Sequence, residues 1–258
     1  MGALSGKSLL GMHALVTGGG SGIGAAIARA LAAEGAALSL AGRRKAPLDA
    51  MAKQLPKTVA IAADITHEHD CRQMAESAHK AHGPIDIVIA NAGMASSAPA
   101  HKIDAAHWQQ MIGVNLTGAF NTVQSALADV TRQPGGRIVF IASTAGLKGY
   151  PYVAAYVAAK HGVVGLMRAL SVELAAKGVT VNAVCPGFTD TPLLANAVDT
   201  ITSRTGRSAD ASRAEVAKDN PHGRLITPDE VAQTVLWLCA PSSGSVNGQA
   251  IAVTGGAV

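Results

Sequence analysis

Residues 13–35 read HALVTGGGSGIGAAIARALAAEG, and this stretch decides the architecture. Its opening, HALVTG (13–18), is a short apolar run of the kind buried inside a sheet. From about Gly22 to Glu34 the alanine-rich remainder has the composition of a helix. Between them lies TGGGSGIG, residues 17–24, in which Gly18, Gly22 and Gly24 keep a GxxxGxG spacing. Glycines at such points permit a tight turn, bring helix and strand close together, and let backbone N–H groups approach a pyrophosphate at the positive end of the helix. Ser21 and Ile23 complete the turn residues expected at that ligand. No Gly-Lys-Ser/Thr follows, so the turn is not a P-loop.

The same rhythm continues outward. AALSLAG (36–42), TVAIAAD (58–64), IDIVIANAG (85–93), RIVFIAS (137–143), VTVNAVCPG (179–187) and QAIAVTGG (249–256) read as further strands. Helical stretches near 47–55, 68–82, 105–131 and 152–177 lie between them. The strands are mostly apolar throughout rather than alternating, which is expected where helices cover both faces of a parallel sheet. The expected fold is therefore α/β: a doubly wound Rossmann-type domain with a seven-stranded parallel sheet, formed by residues 1–258 as one unit. One segment, 188–227, breaks the rhythm. It is polar, carries Arg204, Arg207, Arg213 and Arg224, and reads as a substrate lid.

Composition narrows the classes of function. The chain is 48% hydrophobic and 15% charged, which excludes a disordered chain. Its 21 basic and 17 acidic residues are spread along the sequence, and three Phe, three Tyr and two Trp are too few for a base-stacking platform. A nucleic-acid partner is not expected; the mild positive excess suits a small anionic ligand. Cys71, Cys185 and Cys239 form no CxxC pair, so neither a disulfide scaffold nor a zinc site is implied. No apolar run reaches the roughly 18 residues of a membrane span. The start, MGALSGKSLLG, lacks a long apolar region of the signal-peptide kind, and Gly6 stands where myristoylation requires Ser or Thr. A cytoplasmic protein without a membrane partner is expected.

The end of the second strand normally meets the adenosine ribose, where a carboxylate selects NAD. Here the chain reads LAGRRK: Gly42 leaves room and Arg43 offers a bidentate contact to a 2′-phosphate. This favours NADP(H), with NAD(H) as the other possibility.

Residues 137–160, RIVFIASTAGLKGYPYVAAYVAAK, carry the chemistry. Tyr156 and Lys160 are four apart, hence on one face of one helix, and Ser143 ends the preceding strand where ligand crevices open. With the glycine turn, AADIT, NAG, the Asn115 segment, PGFTDT and the terminal VTGG, the whole chain resembles the short-chain dehydrogenase/reductase family. That resemblance implies that Tyr156 is the general acid in reduction, its pKa lowered by Lys160 and the oxidised nicotinamide, and that Ser143 holds the substrate oxygen. Lys160 would also bind the nicotinamide ribose, and Asn115 would support a helix bend and a water that relays protons. Asp64 and Ile65 match the adenine position, Asn91, Ala92 and Gly93 the strand end beside the adenosine, and Pro186, Gly187, Thr189 and Thr191 the nicotinamide-carboxamide loop. Some NADP-preferring members carry a basic residue where Ser21 stands.

Other residues read more plainly. His67/His69 and His79/His82 lack the companions of a metal site, and none is expected. Tyr150 and Tyr152 have no lysine four residues on and are assigned to the substrate-side loop or packing. His161 points away from Lys160, Cys185 reads as a buried small hydrophobe, and Trp108 and Trp237 as core or interface residues. Within the family, AKHG, VNAVCPGFTDTPL and GRLITPDEVA look similar to reductases of 3-oxoacyl thioesters, including polyketide ketoreductases. Arg204, Arg207 and Arg213 are candidates for the phosphates of coenzyme A or a carrier arm. A 3-hydroxyacyl-CoA or secondary-alcohol dehydrogenase is the alternative, and a non-catalytic nucleotide-binding scaffold a remote one. Family members commonly assemble as homotetramers, and the small residues of the helices at 105–131 and 152–177 suit such packing.

Overall fold

The structure, a computed structural model, describes residues 7–258, apart from the side chains at positions 196, 197, 200, 201, 204 and 205. Gly6 and the side chain of Arg204 thus lie outside the described residues. Seven parallel strands, β1 (His13–Thr17), β2 (Ala37–Gly42), β3 (Thr58–Ala62), β4 (Ile87–Ala90), β5 (Arg137–Ile141), β6 (Thr180–Pro186) and β7 (Ala250–Val253), pair in the order β3-β2-β1-β4-β5-β6-β7. Registers such as Ala14↔Ile87 and Ile138↔Val181 align their C-terminal ends. The order reverses between β1 and β4, and a crevice outside strand ends at such a reversal is where α/β sheets hold ligands.

Both faces are covered. On one, α3 (Glu68–His82), α5 (Gly118–Val130) and α6 (Ala154–Leu174) bury Met74, Val123, Met167 and Phe140. On the other, α1 (Gly22–Ala33), α2 (Lys45–Gln54) and α9 (Pro228–Cys239) bury Ile27, Leu31, Leu48, Val235 and Leu238. Every residue of β1, β4, β5 and β6 is buried, which is why these strands read as mostly apolar rather than alternating. Among the described residues no helix is long and apolar enough to cross a membrane.

One expectation needs correction, and two are sharpened. The helix expected over 105–131 is divided: α4 (Ala105–Ile112) passes through a single π turn, Gly113–Thr117, into α5. A π turn admits an extra residue and is frequent at functional sites. The polar segment 188–227, for which the sequence offered no helices, holds α7 (Pro192–Thr205) and α8 (Ala209–Ala217), N-capped by Thr191 and Ser208. Leu194, Val198 and Val216 form a small core there with Phe188 and Leu225; spread over more than twenty positions, that apolar set is too thin to show as a periodic face. Of the two places expected for Trp108 and Trp237, core or interface, their exposure of 41% and 48% leaves the interface.

Candidate active site

The glycine turn is built by mutual exclusion. Gly18 and Gly22 adopt φ +69° and +52°, conformations costly for other residues. A Cβ on Gly24 would lie 2.2 Å from the Gly18 carbonyl oxygen, so the first turn of α1 rests directly on the strand exit. Ser21, the N-cap of α1, makes no side-chain capping bond, and the first turn holds no acid. Its N–H groups therefore lack a side-chain acceptor, as a helix end meant for a diphosphate requires. Thr17, wholly buried, ties this turn to the next strand end: its hydroxyl donates to Ile89 O and accepts from the Asn91 and Ala92 amides, while Asn91 Nδ2 donates to Thr17 O at 2.8 Å. No motif marks this strut in the sequence.

At the tip of β2, a Cβ on Gly42 would meet nothing closer than 3.8 Å, and Arg43 beside it is exposed. Asp64 faces the same corner. Burial would raise its pKa, but two hydrogen bonds from Thr66 and the charge of Arg43 hold it below the ordinary carboxylate value. These groups fit an adenosine with its ribose substituent: an open tip, one cation and one ionised acid.

The reacting groups converge at the ends of β5 and β4. Ser143 follows β5 and caps a short 3₁₀ turn, Thr144–Gly146, by accepting from the Ala145 amide at 3.1 Å. Gly146 fits against α6, where a Cβ would sit 2.8 Å from Lys160 O. That contact fixes Ser143 relative to Tyr156, near enough for the Ser143 side chain to act on the phenol. Lys160, buried, donates to Ile141 O at 2.8 Å and lies 5.7 Å from the centre of the Tyr156 ring. Asn115, in the π turn and 1% exposed, donates to Met111 O and accepts from the Met94 amide at 3.1 Å. Burial pulls the Lys160 ammonium down to about 8. The expected lowering of the Tyr156 phenol does not occur in the protein alone. Burial pushes it up, against the pull of the Ser143 side chain, and Lys160, at about 8, sheds its proton before the phenol does, so no ammonium faces the phenol where it titrates.

Pro186 ends β6, and Gly187 N donates to Val253 O. Thr189 and Thr191 follow, with Thr191 against Gly22 (a Cβ there would lie 3.3 Å from its methyl). The loop after β6 thus closes over the glycine turn. Its clamp is Asn220, which accepts from the Phe188 amide and donates to Phe188 O and Arg224 O. One Asn in KDNPHG carries no mark in a sequence, and reasoning from it alone missed this residue. Arg213 is engaged by Asp190 and Arg207 lies 4.0 Å from Glu215, so neither stands ready for a phosphate arm. His161 bonds to Val157 O on the exposed side of α6, and Cys185 is fully buried. Among the described residues no three His, Cys, Asp or Glu gather as a metal site.

Against this geometry, the family model for short chain dehydrogenase matches residues 12–202. The chain belongs to that family. It is 35% identical over 249 residues to a protein named putative ketoacyl reductase from Streptomyces coelicolor, covering 94% of this chain and 95% of that one. It is 36% identical over 254 residues to a D-beta-hydroxybutyrate dehydrogenase of Cupriavidus necator, covering 96% and 98%. A crystal structure of a substituted actinorhodin polyketide ketoreductase with NADPH superimposes with a TM-score of 0.91 at 34% identity, over 95% of this chain and 97% of that one. The protein is an oxidoreductase of the short-chain type, working between ketones and alcohols.

Proposed function

We propose that the protein is a cytoplasmic, NADP(H)-dependent ketoreductase that converts a 3-oxoacyl thioester to its 3-hydroxyacyl form. One observation carries the reaction: the Ser143 side chain acts on the Tyr156 phenol, and the ammonium of a buried Lys160 lies 5.7 Å from the centre of the Tyr156 ring. A bound NADPH supplies hydride to the carbonyl carbon. Ser143 donates a hydrogen bond to the carbonyl oxygen and fixes its position. Tyr156, protonated across the neutral range, gives its proton to that oxygen as negative charge develops. Lys160 holds the nicotinamide ribose, and its ammonium favours the resulting phenolate. Asn115 keeps the π turn open so that a proton path can reach Lys160. Arg43, with Gly42, takes the 2′-phosphate; the glycine turn takes the pyrophosphate; Asp64, Ile65 and the Asn91–Gly93 segment border the adenosine; Pro186, Gly187, Thr189 and Thr191 meet the carboxamide. Segment 188–227 acts as the lid of a single catalytic domain. The ketoacyl reductase relative supports the substrate class.

The engagement of Arg213 by Asp190 and the hydroxybutyrate dehydrogenase relative favour one second reading, an alcohol dehydrogenase acting on a small hydroxy acid. A panel of 3-oxoacyl thioesters, 3-oxo acids and simple ketones, each with NADPH and NADH and followed at the nicotinamide absorbance, separates the two. Highest kcat/KM on thioesters with NADPH is expected; activity confined to free 3-oxo acids with NADH selects the second. Tyr156→Phe should lower kcat by at least about 10²-fold, and near-full turnover in that variant would remove the assigned acid.

A further inference from the structure

The chain's last residues touch the loop that carries Ser143. Lys148, in that loop, donates from Nζ to the Ala257 carbonyl oxygen at 2.9 Å and lies 5.3 Å from the centre of the Tyr150 ring. Tyr150 donates to Thr144 Oγ1 at 2.8 Å, next to Ser143, and its ring meets that of Phe188 edge-on, with centroids 6.1 Å apart at 90°. Phe188 is in turn held by Asn220. The tail is folded rather than trailing. Thr254 Oγ1 accepts from the Gly256 and Ala257 amides, and Gly255 (φ +61°) is pressed against His222, whose ring a Cβ there would meet at 2.3 Å. Among the described residues Lys148 has an aromatic face and a main-chain oxygen for partners, not a carboxylate. Fixing a flexible lysine in this way costs side-chain entropy, offset where the ammonium both orders a segment and meets a ring face.

We propose that Lys148 is a positioning residue that pins residues 254–258 beside the Tyr150–Phe188 pair, so that the tail is the outer wall of the substrate crevice and selects for the bulk of the ketone's substituent. The proposal rests on the ketoreductase reading. An aryl substituent needs the aromatic pair held still to keep its contact; a methyl does not. Releasing the tail therefore weakens binding of the bulky ketone first.

The test compares ethyl benzoylacetate with ethyl acetoacetate. In K148M the ratio of their kcat/KM values (aryl over methyl) should fall about five-fold, the change lying in KM rather than kcat. Lys148→Arg, which keeps a donor and a cation over the ring, should restore it to within two-fold. Removing Ala257 and Val258 should reproduce the fall, and combining the deletion with K148M should add nothing, since both break one interaction. An unchanged ratio, or effects of the two changes that multiply, overturns the proposal. A second readout does not depend on activity: the Gly256 and Ala257 amides should be protected from hydrogen exchange in the wild type and in K148R, and exchange faster in K148M. Equal exchange in all three overturns it too. A wild type that reduces neither ester, nor any 3-oxoacyl thioester, with either coenzyme defeats the ketoreductase reading instead, and the exchange result then decides the placement of the tail.

Discussion

Lys160 is kept where a lysine is least comfortable. Its folded-state pKa of about 8 lies below the ordinary value, so the ammonium is disfavoured by burial, and at neutral pH that burden weakens the fold by up to about 3 kcal/mol. The sign follows from proton counts. Between about pH 8 and 10 the unfolded chain holds a proton on this residue that the folded chain has lost, so this contribution to stability rises with pH. Three thiols work the other way. Burial pushes Cys71 and Cys185 up to about 11 and Cys239 to about 12, so the folded chain keeps protons that the unfolded chain sheds above about pH 8.5, and stability falls there. The informative quantity is thus the difference between wild type and Lys160→Met in urea unfolding. It should climb in favour of the wild type from pH 8 to 10 while both curves decline, and a flat difference would show that the lysine is not desolvated. Arg43 is argued at the same scale. With Gly42 open behind it, Arg43→Ala should raise the KM for NADPH about 10-fold or more and leave that for NADH within about two-fold, as loss of a bidentate phosphate contact implies; equal effects on the two coenzymes would remove its selective role.

The elements differ in how openly the sequence declares them. The glycine turn was legible because its constraint is local: a strand, a turn and a helix adjacent in the chain, with glycine needed where Gly24 meets Gly18 O. Tyr156 and Lys160 were legible because helical spacing alone puts them on one face. The π turn was not, since GVNLTG looks like any helical hexamer and the extra residue is accommodated only through Asn115, reaching back to Met111 O and across to the Met94 amide. Helices α7 and α8 were hidden because their capping residues and few apolar contacts become a core only once Phe188 and Leu225 are brought to them. The direction of the Tyr156 shift also depended on burial that no spacing reveals. The legible turn gives the sharper test. Gly24→Ala forces α1 off β1 and should cost about 3 kcal/mol along with coenzyme binding, as overpacking does. Gly149→Ala, where a Cβ would meet nothing within 4 Å, should stay within about 0.5 kcal/mol. Thermal unfolding of the two variants with and without NADPH checks both, and similar losses in the two would sink the packing account of the turn.

At the scale of the molecule, large apolar side chains lie outside both layers of helices. Trp108 on α4, Phe120 on α5 and Val172 on α6, the last 80% exposed, lie on the side of the sheet covered by α3, α5 and α6; Trp237 on α9 lies on the other. Exposed apolar side chains on opposite faces are what two different two-fold interfaces would use, and two perpendicular two-folds generate a closed tetramer. The proposed assembly is accordingly a homotetramer with four times the 26.0 kDa mass of the chain. Exposed Gly165 stands seven residues before Val172 on α6, where a small residue lets a partner helix approach closely. A double Phe120→Glu/Val172→Glu variant should place four unpaired carboxylates in each interface on the first face and leave only the Trp237 interface intact, halving the mass in sedimentation velocity. Trp237→Glu alone should halve it by the other route, and the triple variant should sediment as a monomer. Each variant must keep the thermal unfolding of a folded chain, because these side chains make few contacts within their own subunit. A wild type that sediments as a monomer, or a triple variant still of wild-type mass, would show that these residues do not build the assembly.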